Sequence, residues 1–547
     1  MIKRIFTQKQ NSILSAALII MAMIALSRIL GLVRNRVLAH YFEVDVLAAY
    51  FAAFRLPEVV FEVLVFGALS SAFIPTFTGY LSEKKDQEAW YVTGISLNFA
   101  LLFFGVLALV IFGLSRPVYQ LIAPGFSASQ LELVANLSRV LLLAQAFFVV
   151  SYFLTGVLES LQRFLVPAIA PIFYNLGIIL GAVFLNPYLG IYAPTVGAVI
   201  GAFLHFAVQL PLAWHFGFRP QWRLDWRHRG VREIARLAWP RMIELSFLQV
   251  GKIVELFLSS LVSTVAYTYY TFGNALQLLP VSLFGASLAK ASLPVLSYHA
   301  AAKDKQKFAA VFKSSFREIL FLVLPVSIFL AVMRIPLTRI VFGTARFAWE
   351  STVQTGYVVS AFSLGIFAQA LIYLLARAFY ALHETRIPVK ASILGIFLAS
   401  GLGTIFVVFG HLPVWSLALA YSLAAVVQMG VLLFCLVRRV EGLFWRELIY
   451  PAMKILAAAG LAGGVDYGLI RFWDRVIFDT RYTAILILFS FLLLLVGTGV
   501  FVTAAWLLKI EELQMFRHFW LRLRGGLFWK KSEFQQNEVV GGEGEMF

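Results

Sequence analysis

Cysteine and charge are both scarce in this chain of 547 residues. Cys435 is the single cysteine, which excludes an intramolecular disulfide and a cysteine metal cluster. Only 13% of the residues are charged, whereas soluble globular domains carry about 25%. Hydrophobic residues make up 61% of the chain, and its mean hydropathy is +0.85. The composition therefore predicts a protein whose solvent is the lipid bilayer.

Motifs of the common enzyme classes are absent as well. The chain has no G-x-S-x-G, no H-E-x-x-H, no phosphate-binding G-x-x-x-x-G-K-[ST] and no aspartate-rich cluster for magnesium–diphosphate chemistry. We therefore predict neither an enzyme nor a protein that carries a metal or another cofactor. The net charge of +17 would favour nucleic acid in a soluble protein. Here basic loops beside anionic membrane lipids account for it, and no nucleic-acid partner is expected.

Long apolar runs separated by turn signals predict an all-α polytopic membrane protein with about fourteen transmembrane helices. Pro57 lies inside the second run and is expected to kink it. The first run has no small-residue cleavage site after it, which indicates a retained helix. The predicted spans are 12–38, 47–80, 90–122, 131–160, 165–186, 191–217, 232–261, 266–298, 309–341, 352–382, 388–410, 414–437, 450–470 and 482–508.

The basic residues of the connections alternate in abundance along the chain. Even-numbered connections are rich in Lys and Arg, including six arginines between residues 219 and 236, whereas most odd-numbered ones have few or none. Because Lys and Arg concentrate in cytoplasmic loops, both termini are predicted to be cytoplasmic. The end of the chain is polar and rich in Gly and Glu, so a disordered cytoplasmic tail is expected there.

Two sequence motifs recur with nearly the same offset. FGALSSAFIP in the second span matches FGASLAKASLP in the eighth, and GVLESLQRFLVP matches RAFYALHETRIP, with offsets of 218 and 221 residues. We therefore predict two pseudo-symmetric six-helix lobes followed by two C-terminal helices. The expected division is 1–220, 221–440, 441–510 and the tail 511–547. Six is even, so both lobes have the same orientation and a transport path is expected between them.

Charged residues inside the predicted spans are expensive and therefore informative. One interpretation is a cationic cavity between the lobes that holds an anionic headgroup, because arginine donates paired hydrogen bonds to phosphate. The other is snorkelling to the membrane interface, which we favour for Arg36, Arg241 and Lys290 near span ends. Arg28 and Arg34 lie well inside the first apolar run and favour the cavity. The second span adds Arg55 as a weaker candidate.

Carboxylates accompany these cations. Lys252 and Glu255 are three residues apart on one predicted helix, which allows an internal ion pair, and a role in coupling stays the alternative. Glu58 and Glu62 follow Arg55 at helical spacing. They can neutralise Arg55 and an arginine of the first span, or they can accept protons. The spacing alone does not separate these interpretations.

The stretch SRILGLVRNRVLAHYF followed by AAYFAAFRLPEVVFEVLVFGALSSAFIPTF resembles the opening of the MurJ (MviN) family. WPRMIELSFLQVGKIVELFLSSL, LQLLPVSLFGASLAKASLPVLS and RAFYALHETRIPVK resemble its later segments. The resemblance implies a flippase of the bacterial cytoplasmic membrane that moves lipid II to the outer leaflet by alternating access. Lipid II is undecaprenyl-diphosphate carrying the peptidoglycan disaccharide–pentapeptide. It also implies that Arg28 and Arg34 line the cavity and that a lipid-tail groove lies at about 450–508.

The chain departs from the family pattern at several of these positions. Asn274, with Gln277 one turn on, stands where many relatives have a cavity arginine in the eighth span, so both are expected to contact substrate, with Lys290 compensating in part. A cation site of some relatives pairs a carboxylate, here Glu255, with polar residues of the eleventh span. Those positions are Ala399 and Gly403 here, which cannot coordinate. We therefore predict that the Lys252 ammonium replaces the metal ion beside Glu255.

Other functions remain open at this point. A flippase for another polyprenyl-diphosphate-linked sugar keeps the same chemistry. A scaffold that recruits cell-wall synthases without transport would tolerate the missing family charges. A drug exporter should show cavity carboxylates without arginines, and a membrane-embedded glycosyltransferase needs an acidic or metal constellation. Arg28 and Arg34 argue against the exporter and the scaffold. The sequence shows no acidic or metal-binding cluster, which argues against the glycosyltransferase.

Overall fold

The computed structural model describes residues 13–66, 72–476 and 483–513, and within these ranges the chain is almost wholly helical, without a β-strand. The all-α prediction is therefore confirmed. The predicted disordered tail lies outside the described residues from 514 onward. The N-terminal lobe comprises α1 (Ile13–Tyr41), α2 (Val44–Ala53), α3 (Arg55–Phe61), α4 (Ile74–Ser82), α5 (Asp86–Ile122), α6 (Ala128–Ser160), α7 (Leu165–Leu180), α8 (Asn186–Leu189), α9 (Tyr192–Ala207) and α10 (Leu210–His215).

The remaining helices form the C-terminal lobe, α11 to α19, and a final pair. They are α11 (Arg229–Val262), α12 (Ala266–Pro280), α13 (Ser287–Ala301), α14 (Lys305–Val332), α15 (Arg334–Phe342), α16 (Trp349–Ser363), α17 (Ile366–Ala381), α18 (Arg386–Thr404), α19 (Trp415–Val437), α20 (Trp445–Val476) and α21 (Thr483–Leu507). Eleven helical segments among the described residues are long and apolar enough to cross a membrane, and the bent pair α16–α17 makes twelve. The other two predicted spans correspond to α1 and to α2–α4, so the total of fourteen stays a prediction.

The second predicted span is bent where Pro57 requires it. Proline has no N–H to donate to the carbonyl four residues earlier, which here belongs to Ala53. The Tyr119 hydroxyl of α5 donates to that carbonyl oxygen instead, at 2.9 Å. Helix α2 ends at Ala53 and α3 begins at Arg55, so the predicted kink is confirmed. The bend starts α3 at Arg55, and it places Arg55 and Glu58 near the C-terminal lobe.

Glycines bring α7 and α9 into backbone contact within the N-terminal lobe. Gly177 on α7 and Gly181, which begins the π-helical turn after α7, face Gly197 and Gly201 on α9, each pair at the four-residue spacing of close membrane helix packing. A Cβ on Gly177 would lie 2.6 Å from the Gly197 carbonyl oxygen, and one on Gly181 2.7 Å from the Ala193 carbonyl oxygen. The α7–α9 pair thus has no room for side chains along this line, and it forms a rigid wall behind α1, which packs against α7.

A π-helical turn recurs at the matching place in the two lobes. One follows α3 at Glu62–Phe66 and the other follows α12 at Val281–Ala286. Each adjoins one copy of the FGA-type motif found in the sequence. Because π-turns interrupt the regular α-helical ladder, they often accompany functional positions. Their recurrence supports the predicted duplication.

Helix α11 connects the two lobes along much of its length. It packs against α12 and α18 in the C-terminal lobe, and also against α5 and the π-turn after α3 in the N-terminal lobe. The final pair α20–α21 forms a hairpin that packs on α14. At the end with the basic connections, Lys305 donates to Glu441 at 2.8 Å and lowers the pKa of that carboxyl. Lys313 binds Glu447 at 2.9 Å, which ties α14 to α20.

Candidate functional site

Arg55 contacts a hydroxyl of the other lobe and a carboxylate of its own helix. Its Nε donates to the Tyr267 hydroxyl on α12, and the guanidinium carbon lies 5.7 Å from the centre of that ring. Its Nη1 lies 3.4 Å from Glu58 Oε2. The Arg55 side chain is 18% exposed, so these partners satisfy a largely enclosed charge. Glu58 is thus placed to neutralise Arg55, and its alternative role as a proton acceptor stays a prediction.

Lys252 binds a carboxylate of the other lobe. Its Nζ lies 3.0 and 2.8 Å from the two carboxylate oxygens of Glu62, and Gln249 Nε2 also donates to that carboxylate. The predicted pair of Lys252 with Glu255 is therefore wrong. The three-residue spacing permits that contact, but the π-turn after α3 brings Glu62 against α11 and offers Lys252 both oxygens of a carboxylate. The result is an ion pair between the lobes instead of one within a helix.

We expect the Lys252–Glu62 pair to depend on opposite charge and not on which residue carries which sign. Glu62→Gln and Lys252→Met should each lower the thermal stability of the purified protein, by on the order of 1 kcal/mol, because the remaining charge loses a half-buried partner. The exchange Glu62→Lys with Lys252→Glu should recover part of that loss. Lys307→Met, which breaks the exposed pair with Asp304, is the matched control and should change little. An exchanged variant no more stable than the weaker single variant would contradict the pair.

Arg34 on α1 has amide partners and forms no ion pair among the described residues. Its Nη1 donates to Asn175 Oδ1 on α7 at 3.2 Å, and its Nε and Nη2 donate to Asn35 Oδ1 at 3.2 and 3.1 Å. Arg28, on the same helix, is exposed. No ion pair joins either arginine to a carboxylate in the described part of the chain. The amides orient Arg34 without neutralising it, which is the arrangement that an anion-binding arginine requires.

The two neutral candidates of α12 differ in their environment. Gln277 is only 1% exposed, donates to Asn274 Oδ1 at 2.8 Å and accepts from Gln369 of α17 at 2.9 Å. The expectation that Gln277 contacts substrate is wrong for this conformation, because a buried amide network within the C-terminal lobe occupies both ends of its side chain. Asn274 is half-buried at the edge of that network and stays a candidate.

Lys290 lies on the open side of the C-terminal lobe. It is exposed on α13, close enough to Glu159 at the end of α6 for the two charges to interact. This is a second place where the lobes present opposite charges to one another. Lys290 is therefore kept as a candidate for substrate contact, although its position near a helix end also fits snorkelling.

Contacts between the lobes concentrate at the end of the bundle opposite the basic connections. We call this set the interlobe seal, and it comprises the hydrogen bonds of Arg36, Gly125, Gln130, Thr268 and Thr344. Arg36 Nη1 donates to the carbonyl oxygens of Ile340 and Val341 at the end of α15, the second at 3.3 Å. The negative end of the α15 dipole thus provides partners for Arg36, and snorkelling to the membrane interface stays a prediction.

The other contacts of the interlobe seal are also hydrogen bonds between a side chain and the main chain. Thr344 Oγ1 donates to the Ala39 carbonyl at 2.6 Å, and Thr268 Oγ1 donates to the Val44 carbonyl at 2.7 Å. Gln130 Nε2 lies 3.2 and 3.4 Å from the carbonyls of Asp45 and Thr264, one in each lobe. The Gly125 N–H donates to Ser260 Oγ at 3.3 Å. Side chains of one lobe thus bind backbone carbonyls of the other at most of these points.

Comparison with known proteins places the chain in a family. The family model described as "Lipid II flippase MurJ" matches residues 38–488. The chain belongs to the MurJ family.

Relatives of known name cover most of the chain. The "Probable lipid II flippase MurJ" of Vibrio cholerae is 29% identical over 483 residues, which cover 84% of this chain and 88% of the relative. The "Lipid II flippase MurJ" of Burkholderia cenocepacia is 27% identical over 465 residues, covering 82% of this chain and 88% of the relative. The MurJ family resemblance therefore extends through both lobes.

Solved structures share the architecture. One described as "Lipid II flippase MurJ, inward closed conformation" superposes with a TM-score of 0.74 at 23% identity, over 89% of this chain and 99% of the other. An inward-facing multidrug transporter of the MATE family superposes with a TM-score of 0.65 at 13% identity, over 79% and 95% of the two chains. At these identities the likeness establishes the fold alone, which this chain shares with both transporters.

Apolar side chains surround Gly403, one of the positions at which the family resemblance suggested a cation site. A Cβ on Gly403 would lie 3.1 Å from Leu258 and from Leu417. Glu255 is within hydrogen-bonding reach of Tyr270 and lies near Arg55. The predicted replacement of the ion by the Lys252 ammonium is therefore wrong, because Lys252 binds Glu62. Among the described residues, no group of three His, Cys, Asp or Glu is placed to hold a metal ion.

Three functional neighbours were missed at the level of sequence: Asn175, Gln249 and Tyr267. Asn175 interrupts the apolar run PIFYNLGIIL, and a lone amide in such a run is a signal that could have identified it. Gln249 lies one turn before Lys252, so the sequence already predicted that both side chains lie on the same face of α11. Tyr267 carried no signal, because an aromatic residue at a span end is ordinary.

Proposed function

We propose that the chain moves lipid II from the inner to the outer leaflet of the bacterial cytoplasmic membrane by alternating access of its two lobes. Family membership over residues 38–488 supports the substrate class. The observation in this structure that supports it most directly is Arg34, whose guanidinium is fixed by amides and left without a carboxylate partner. A diphosphate between the lobes would provide the missing negative charge.

The charged residues divide into two roles under this proposal. Arg28 and Arg34, with Lys290 and Asn274 as weaker contributors, bind the headgroup. Glu62 with Lys252, and Arg55 with Tyr267, join the lobes, while Glu58 provides Arg55 with an ionic partner on its own helix. Opening and closing of the path then requires these interlobe pairs to break and form again, while the headgroup arginines stay on α1. The proposed activity is transport, without a chemical reaction.

The domain division and the orientation are part of the proposal. We infer lobes at 1–220 and 221–440, a hairpin at 441–510 that offers a groove for the lipid tail, and a cytoplasmic tail from 511. The repeated motifs and the recurring π-turn support the two lobes. The Lys- and Arg-rich connections support cytoplasmic termini. The interlobe seal then lies on the outer side of the membrane, which closes the path outward.

The proposal is tested by depleting the lipid II flippase of a bacterial host and expressing this chain in its place. The wild-type chain is expected to restore growth. Arg28→Ala combined with Arg34→Ala should lower survival by at least about 100-fold, because the headgroup loses both free cations. Arg116→Ala combined with Arg139→Ala removes the same charge elsewhere and should complement fully.

Membrane abundance of each variant is measured in the same cells, so that loss of protein is separated from loss of transport. Accumulation of lipid II in the depleted cells reports the substrate directly. A wild-type chain that inserts at normal abundance but fails to restore growth would contradict lipid II as the substrate and would favour another polyprenyl-diphosphate-linked sugar or a scaffold for cell-wall synthases. Full complementation by the double alanine variant would remove Arg28 and Arg34 from the mechanism.

A further inference from the structure

The chain between α10 and α11 connects the two lobes, and its residues 219–228 have no regular secondary structure apart from a turn at 226–227. We call these ten residues the interlobe linker. The buried Asn98 of α5 donates to the carbonyl oxygens of Gln221 and Arg223 at 2.7 and 2.8 Å. These carbonyls are two residues apart and point to the same side, as they do in an extended chain. One amide thus fixes the linker along α5, and the proposed function assigns the linker no role.

The side chains of the interlobe linker alternate in polarity. Trp222, Leu224 and Trp226 are 73%, 48% and 53% exposed. The residues beside and between them are polar or basic: Arg219, Gln221, Arg223, Asp225 and Arg227. Because neighbouring side chains of an extended chain point to opposite sides, the linker has an apolar side and a basic side. A group of exposed large apolar side chains marks a contact with a partner or with a membrane.

Contacts with α5 show how the linker is turned. The Arg223 guanidinium carbon lies 5.8 Å from the centre of the Tyr91 ring, and Asp225 accepts from the Tyr91 hydroxyl at 3.4 Å. Trp226 instead contacts Phe99, with the ring centres 5.5 Å apart. Phe99 lies two turns beyond Tyr91, roughly 12 Å farther along α5 from its cytoplasmic end. The linker therefore turns polar side chains toward the cytoplasm and an aromatic one toward the membrane.

The linker lies where the lipid-facing part of α5 begins. Helix α5 has 37 residues, whereas about 20 are enough to cross the hydrocarbon. Most large apolar side chains of α5 are exposed from Leu102 to Leu114. The linker contacts α5 between Glu88 and Phe99, just before this part. That level corresponds to the lipid headgroups, where tryptophan is enriched in membrane proteins.

We propose that the interlobe linker binds anionic phospholipids of the cytoplasmic leaflet, with its tryptophans inserted beside the lipid chains and its arginines at the phosphates. Of the proposed function, this rests on the cytoplasmic orientation and not on the transported substrate. Arg219, Arg223 and Arg227 are exposed and form no ion pair with a carboxylate in the described ranges. A segment with basic residues on one side and Trp and Leu on the other has the chemistry of a membrane-surface anchor. Each arginine near an anionic leaflet adds to the attraction.

Native mass spectrometry of the purified full-length protein tests the linker, with phosphatidylglycerol and phosphatidylcholine titrated separately. The wild-type chain should bind phosphatidylglycerol at least about tenfold more tightly than zwitterionic phosphatidylcholine. Replacing the three linker arginines, by Arg219→Gln with Arg223→Gln and Arg227→Gln, should remove most of that preference. The matched control removes the same charge from exposed residues of other basic connections, by Arg386→Gln with Lys390→Gln and Arg446→Gln, and should keep it.

Two results of this titration would overturn the proposal. One is equal affinity of the wild-type chain for both lipids. The other is an equal loss of preference in the linker variant and in the control variant, because the summed charge of the cytoplasmic face would then account for the binding. Arg28→Ala with Arg34→Ala should leave the preference unchanged, so that failure of the transport proposal does not alter this result.

A second measurement uses the wild-type chain and does not depend on the folding of a variant. The protein is placed in nanodiscs that contain phosphatidylglycerol with a photoactivatable group near the start of its chains. Tandem mass spectrometry should locate adducts within residues 219–228, and unlabelled phosphatidylglycerol should reduce them more than phosphatidylcholine does. Adducts confined to other segments would show that the linker faces the aqueous phase, which would contradict the proposal and favour an acidic protein as its partner.

Discussion

Gly125→Ala is expected to stop transport while the protein remains folded and inserted. Gly125 lies between α5 and α6, and its N–H donates to Ser260 in the last turn of α11. A Cβ at this position would overlap the Ser260 carbonyl of the other lobe. Because the obstruction is backbone, no rotamer change relieves it. The lobes should then be unable to close the interlobe seal.

The measurement is complementation of the flippase-depleted host, with survival expected to fall by at least about 100-fold if alternating access needs a closed outer seal. Gly113→Ala is the control, since a Cβ there meets nothing within 4 Å. Spin labels placed on the two lobes should report a wider separation at the sealed end in Gly125→Ala. Normal growth with an unchanged distance would disprove the role assigned to this contact.

The second large effect is expected on stability and concerns Gly197. Its backbone lies against Gly177 on α7 and Gly181 directly after it, so Gly197→Leu should prevent α7 and α9 from packing and the protein should fail to accumulate in the membrane. Gly197→Ala adds a single methyl group and should still lower stability by roughly 1–3 kcal/mol, the usual cost of overpacking. Fluorescence-detected gel filtration after heating measures both.

Gly464→Leu and Gly464→Ala are the matched controls, because a Cβ at Gly464 on α20 has no neighbour within 4 Å. They should accumulate and melt like the wild type. If Gly197→Leu accumulated to wild-type levels, the close approach of α7 and α9 would not be needed for folding of the N-terminal lobe. The comparison separates helix contact from the general effect of replacing glycine in a membrane helix.

Features that depend on the local sequence were predictable. The apolar run 131–160 becomes α6 at Ala128–Ser160, and the run 414–437 becomes α19 at Trp415–Val437. Pro57 bends the second span because proline itself lacks the N–H that a regular helix needs. The pairing of Arg55 with Glu58 is also local, since three residues of helix separate them. In each case the determining contact lies within a few residues along the chain.

Features that depend on how the lobes meet were not predictable. Spacing favoured Glu255 as the partner of Lys252, yet Glu62 lies 190 residues away in sequence and binds it directly. Gln277 was assigned to the substrate because of its position in the family, but Gln369 of another helix buries it. A helical pattern gives the face on which a residue lies and does not give which helix packs there. The partners of the charged residues between the lobes could therefore be identified only from the structure.

The hydrogen bonds of the interlobe seal allow many substitutions at the acceptor positions during evolution. Arg36, Thr268 and Thr344 donate to carbonyl groups of the main chain, and every residue type supplies such a carbonyl. The side chains at Ile340, Val44 and Ala39 can therefore change without loss of the acceptor. Positions that face each other across the seal are therefore not expected to mutate together. A search for correlated substitutions among homologues would not detect these contacts. The Lys252–Glu62 pair, whose two charges depend on each other, is where such correlation should appear.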